Sequence, residues 1–169
     1  HQHALAHLGQ AGRHAHHVLF GDAAVDELLR AAAAELVEQR QSLQQEHLRP
    51  AAGGTLNFLG RPLQLVAVSN LRGVRFAEDR LELGGDLQRH NDLLARWLAQ
   101  QAAAYLPGRV QMFAPLVDVQ PRAVGVRYYK SRWGSCNSRG ELQFNWLLLM
   151  APPEVVDYVV VHELAHLRH

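Results

Sequence analysis

Ala151-Pro152-Pro153-Glu154-Val155-Val156-Asp157-Tyr158-Val159-Val160-Val161-His162-Glu163-Leu164-Ala165-His166-Leu167-Arg168-His169 is the stretch that decides how the rest of the sequence is read. Proline is favoured in the first turn of a helix, and Glu154 and Asp157 place acids near the positive end of the helix dipole. Val156, Val160, Leu164 and Leu167 then recur at helical spacing as one apolar stripe, with His162, His166 and His169 forming a second stripe roughly opposite. The pattern predicts a helix with one face in a core and the other presenting imidazoles. His162-Glu163-Leu164-Ala165-His166 is an H-E-x-x-H pentad. Residues i and i+4 share a helix face about 6 Å apart along the axis, so both imidazoles reach one Zn²⁺ at roughly 2.0–2.1 Å. Glu163 lies beside them, where it can take a proton from metal-activated water.

With 11 histidines in 169 residues, such a pentad is expected by chance roughly 0.04 times, so its surroundings must decide. The bland alternative is a buried helix with incidental histidines. The double proline, the acidic first turn and the two stripes favour a metal-binding helix.

Composition narrows the remaining classes. Hydrophobic content of 48% suits a globular chain. Apolar runs such as Trp146 to Pro153 fall far short of the ~18 residues that cross a bilayer, so no membrane span is expected. No basic-then-apolar leader is visible, although the sequence does not start with Met and its natural N-terminus is expected further upstream. Cys136 is the only cysteine, which excludes an internal disulfide framework and fits a reducing, cytoplasmic setting. A net charge of +1 gives no global drive toward nucleic acid.

Residues 1–21 read as a His-rich leader (His1, His3, His7, His14, His16, His17), poorly ordered rather than metal-binding. Residues 22–50 are rich in helix formers behind Asp22, and Ala51 to Gly54 reads as a linker. Residues 55–169 form the principal domain. Thr55–Leu59 and Leu63–Ser69 read as strands around a Gly60-Arg61-Pro62 turn. Gly73–Phe76 and Arg80–Leu83 read as strands around Ala77-Glu78-Asp79. Asp86–Tyr105 has helical spacing, Pro107-Gly108 is expected to break it, and Arg109–Leu116 reads as a further short helix. Ala123–Tyr129 and Glu141–Leu148 read as strands around a turn-rich Gly134–Gly140. Glu141–Trp146 is a candidate edge strand for an extended peptide, or else an ordinary core strand. The fold class is α+β, with a small antiparallel sheet, a C-terminal H-E-x-x-H helix and an N-terminal helical or β appendage.

The stretches Ser131-Arg132-Trp133-Gly134-Ser135-Cys136, Asn145-Trp146 and Ala151 to His169 resemble the YgjP-like metallopeptidases, a family related to the zincins, over about forty positions of close agreement. Weaker similarity runs back through Phe58-Leu59-Gly60-Arg61-Pro62-Leu63 and Arg96-Trp97. The resemblance implies a zincin-like fold and one Zn²⁺, with His162 and His166 as ligands and Glu163 as general base. It also implies a third ligand, a histidine about three positions beyond His169, so that the domain as given stops short of its C-terminal end and is expected to be incomplete as a catalyst. His169 is a poor substitute, lying about 10 Å from His162 along a straight helix.

Other residues near these stretches keep two readings each. Arg132 suits a carboxylate partner or an oxyanion, or a structural salt bridge. Cys136 suits a metal or a reactive thiol, but lacking a paired cysteine it reads as structural. Trp133, Trp146 and Tyr158 read as packing residues before substrate contacts. The leading function is zinc-dependent hydrolysis of a peptide or protein substrate. The alternatives are hydrolysis of a nucleotide phosphoanhydride at the same metal site, for which no G-x-x-x-x-G-K-[ST] loop appears, and a non-catalytic metal-binding domain.

Overall fold

The structure is a computed structural model and describes residues 54–168. The expected leader over 1–21 and helix over 22–50 lie outside the described residues, as does His169. The described chain is α+β, and its strands form two small mixed sheets.

The first sheet has the order β1-β2-β4-β3, from β1 (Thr55–Phe58), β2 (Arg61–Ala67), β3 (Val74–Ala77) and β4 (Arg80–Leu83). The expected single antiparallel sheet is corrected here, because β2 and β4 run parallel inside it and only the outer pairs are antiparallel. Each outer hairpin closes in two residues, one shorter than the three-residue turns expected, because Arg61 pairs with Phe58 and Ala77 with Arg80. Leu59 and Gly60 both have positive φ (48° and 79°), the combination that matches the twist of flanking strands in a two-residue hairpin. Leucine gains nothing from that conformation, and the tertiary fold holds it there. Leu59 N–H donates to the Leu149 carbonyl at 2.8 Å, and Gly60 lies against Pro152 and Pro153. The hairpin tip thus buttresses the start of the metal-motif helix.

The helix α1 spans His90–Phe113, 24 residues, following a 3-10 turn at Leu87–Arg89. It runs straight through Pro107, contrary to the expected break. Leu94, Trp97, Leu98, Ala102, Leu106, Val110 and Phe113 form one buried stripe. Ala103, whose carbonyl loses its partner to the proline, is exposed, as are Pro107 and Gly108, so water can satisfy the freed group. An interior proline costs about 3 kcal/mol. Burying Leu106, Val110 and Phe113 returns roughly 1.5–3 kcal/mol each, so the continuous helix wins.

The second sheet has the order β5-β7-β6, from β5 (Ala123–Arg127), β6 (Gly134–Cys136) and β7 (Glu141–Asn145). β5 and β7 are parallel, and β6 and β7 antiparallel. One reading changes here, and one left open between two alternatives is decided. The turn-rich segment holds a strand, β6, followed by a turn in which the Asn137 side-chain oxygen accepts from Arg139 N and Glu141 N, both at 3.0 Å. Of the two readings of Glu141–Trp146, edge or core strand, the core strand holds: β7 is the middle strand, with Leu142 and Phe144 wholly buried, and the edge beside the metal motif is β6. After Asn145 the chain turns into a 3-10 helix, Trp146–Met150, which ends the strand three residues before the expected Leu148.

Helix α2 spans Pro153–His166. Val156, Val160 and Leu164 are fully buried, as the stripe predicts. It packs on α1 and on β6. Arg109 of α1 grips Asp157 of α2 through two hydrogen bonds of 2.7 Å, with its guanidinium over the Phe113 ring. Bidentate pairing of this kind fixes orientation as well as distance, and it sets the rotation of α2 about its own axis.

Candidate metal centre

The pentad lies on the last turns of α2, with His162 and His166 on one face of the helix. His162 is half-buried, Glu163 buried and His166 exposed, so the site opens toward solvent on the His166 side. The two Nε2 atoms stand 3.2 Å apart, with ring centroids at 4.8 Å and planes at 90°. Two nitrogen ligands at 2.0–2.1 Å on a tetrahedral ion lie about 3.3 Å apart, so the pair fits two corners of a zinc site. The same gap accommodates an Nε2–H···Nε2 hydrogen bond in metal-free protein. Burial, reinforced by the neighbouring His166, pushes the His162 imidazole down from 6.5 to about 4. It is therefore neutral at physiological pH, the form that binds a metal. Its Nδ1 is buried with no hydrogen-bond partner. Tyr158 stacks over His162, centroids 6.4 Å apart and planes 20° from parallel, while packing on the core.

Glu163 is held in a tight slot. A Cβ added to Gly134 on β6 would stand 2.8 Å from Glu163 Cγ and 2.9 Å from Oε1, so only glycine lets the carboxyl lie there. Burial pushes that carboxyl up from 4.5 to about 7, and the charge of Arg132 pulls it back in part. Cys136, two residues along β6, has its thiol raised by burial and then by the Glu163 charge. Its contact is a weak one with the Asn137 carbonyl at 3.6 Å. Among the described residues no group of three or more His, Cys, Asp and Glu side chains is placed to hold a metal ion. Cys136 thus stands outside the pair, and a third ligand is not found among the described residues.

The family model described as the YgjP-like metallopeptidase domain matches residues 19–169. The chain belongs to that family. No curated protein and no solved structure matches it. Membership carries the name of a metallopeptidase, a metal-using hydrolase, and no described helix is long and apolar enough to cross a membrane.

In this YgjP-like domain, the three stretches that carried the resemblance meet around the pentad. Asn145, wholly buried at the end of β7, is the organiser, a role that its place in the Asn145-Trp146 stretch does not reveal from sequence. Its side-chain amide donates to the Tyr129 carbonyl at 2.9 Å and to the Arg132 carbonyl at 3.1 Å, and its oxygen accepts from Leu147 N at 3.1 Å. Its backbone N–H donates to the Trp133 carbonyl at 2.8 Å. One side chain therefore ties the 128–133 connection to the sheet and brings Arg132 and Gly134 to Glu163. Trp133 packs against the core, and Trp146 pairs with Tyr128 at 6.0 Å. Gly134 stands within the Ser131–Cys136 stretch that carries the resemblance, and that position is the signal the sequence offers for it.

The slot gives a direct prediction. Gly134→Ala is expected to push the Glu163 carboxyl aside and to lower kcat/KM for any hydrolysis in which that carboxyl takes part about a hundredfold, the cost of an ångström-scale misplacement. Zinc binding should stay intact, because both imidazoles are untouched. Steady-state kinetics with metal analysis check this; activity within twofold of the parent protein would show that the slot does not position Glu163.

Proposed function

We propose that this chain forms the zinc-binding and proton-transfer part of a peptide-bond hydrolase of zincin type. The observation that carries the reading is the convergence of the His162 and His166 Nε2 atoms at 3.2 Å beside a buried carboxyl. His162 and His166 would hold the ion, with a third protein ligand expected outside the described residues. When bound, zinc polarises a scissile carbonyl and lowers the pKa of water to about 7. Glu163 accepts a proton on its carboxylate and returns it to the departing amine nitrogen. In the metal-free protein burial raises its pKa to about 7, and the charge of a bound cation acts in the opposite direction and favours the carboxylate that accepts the proton. The substrate is a peptide or protein segment. β6 supports this as an edge strand beside Glu163, on which an extended chain can pair through main-chain groups.

The test is metal binding by the full-length protein. About one zinc per chain is expected, and His162→Ala and His166→Ala are each expected to weaken zinc binding at least about a hundredfold. Competition titration with a chromogenic chelator measures this. Unchanged zinc affinity in both variants would reject the pair as ligands.

A further inference from the structure

The connection between β5 and β6 concentrates unpaired positive charge beside the site. Arg127, Lys130 and Arg132 are exposed, and among the described residues none of them pairs with an acid. Arg75, Arg80, Arg109 and Arg139, by contrast, each meet a carboxylate. Arg127 and Arg132 are held together on one phenol. Their guanidinium carbons lie 5.0 and 5.7 Å from the centre of the Tyr129 ring. That ring is itself fixed, because its hydroxyl hydrogen-bonds Ser135 Oγ on the edge strand at 2.8 Å and its carbonyl accepts from Asn145. Stacking on a ring uses the guanidinium face and leaves its N–H edge free for a carboxylate. Like charges collected on one fixed ring repel, and among the described residues no acid forms an ion pair with either of them. The charge of Arg132 also acts on Glu163, which places it at the reacting end of the site.

We propose that Arg127 and Arg132 select peptide substrates carrying acidic side chains close to the scissile bond. The inference rests on the peptidase reading above. The guanidiniums flank a phenol pinned to the edge strand, which suits side chains projecting from an extended peptide more than a compact polyphosphate.

The experiment uses full-length, zinc-loaded protein and two labelled peptides of equal length, one with Glu and the other with Gln at positions flanking the cleaved bond. The Glu peptide is expected to show a kcat/KM about fivefold higher at low ionic strength, an advantage that shrinks in high salt. Arg127→Gln is expected to remove much of that advantage while cleaving the Gln peptide at the parent rate. Equal rates on the two peptides, or an advantage that survives Arg127→Gln and Arg132→Gln, would overturn the proposal. Fluorescence anisotropy with uncleavable versions of both peptides separates this from the underlying reading. Tighter binding of the Glu peptide that weakens in both arginine variants supports the selection even where neither peptide is cut. Displacement of the Glu peptide by ATP at lower concentration than by the unlabelled Glu peptide would overturn it in favour of phosphate recognition.

Discussion

Replacing Glu163 by Gln is expected to lower peptide hydrolysis by the full-length protein roughly a thousandfold while leaving zinc bound. Gln keeps the volume and the packing against Gly134, so the helix and the two imidazoles stay where they are. It cannot take up a proton, and a positioned acid–base group is worth about 10²–10⁴ in rate. The loss should fall on kcat, since a general base at Glu163, as proposed, would serve the transition state rather than the ground-state complex. Zinc content measured on the same sample keeps this apart from metal loss. Zinc retained with hydrolysis within a few-fold of the parent protein would remove Glu163 from the mechanism. A rate loss accompanied by zinc loss would show a structural role instead.

What could be read beforehand follows the range of the forces involved. The metal-motif helix was legible because its signals are local: the prolines at its start, the stripe through Val156, Val160 and Leu164, and imidazoles one turn apart. The hairpins were legible to within two residues for the same reason, β2 starting at Arg61 where Leu63 was expected. Pro107 misled because a local penalty was outweighed by a stripe of distant contacts. β6 was hidden because Gly134-Ser135-Cys136 has little strand preference and becomes a strand by pairing with β7. That pairing also decides between the edge and core readings of β7, since β6 covers its outer side. The mixed pairing of β2 with β4 and β5 with β7 left no trace in the alternation of either strand. At the site, the pair His162 and His166 came from spacing alone. The slot at Gly134 and the anchor at Asn145 are contacts between segments that the sequence does not place together.

The metal-free protein offers the second large effect, in the pH dependence of its stability. Glu163 is pushed up from 4.5 to about 7, and His162 down from 6.5 to about 4. Displacements of that size each correspond to roughly 3 kcal/mol. Their signs oppose. The folded state holds the Glu163 proton more tightly than the unfolded chain, so its contribution is fully present below pH 4.5 and is lost as pH rises through about 7. The folded state rejects the His162 proton, so that contribution is present above pH 6.5 and is lost as pH falls toward about 4. Between pH 4.5 and 6.5 the two slopes nearly cancel, and chelator-treated parent protein should show almost level stability from this pair. Glu163→Gln removes one of the two. The variant should be more stable than its parent by about 3 kcal/mol at pH 8, where the parent buries a charge. It should lose a comparable amount relative to the parent between pH 7 and pH 4, because the His162 slope is then unopposed. Denaturant unfolding across this range, both proteins stripped of metal, reads the difference directly. Parallel pH profiles for the two proteins would mean that Glu163 is solvated rather than held in the Gly134 slot, and the catalytic assignment would lose the raised pKa that supports its proton exchange.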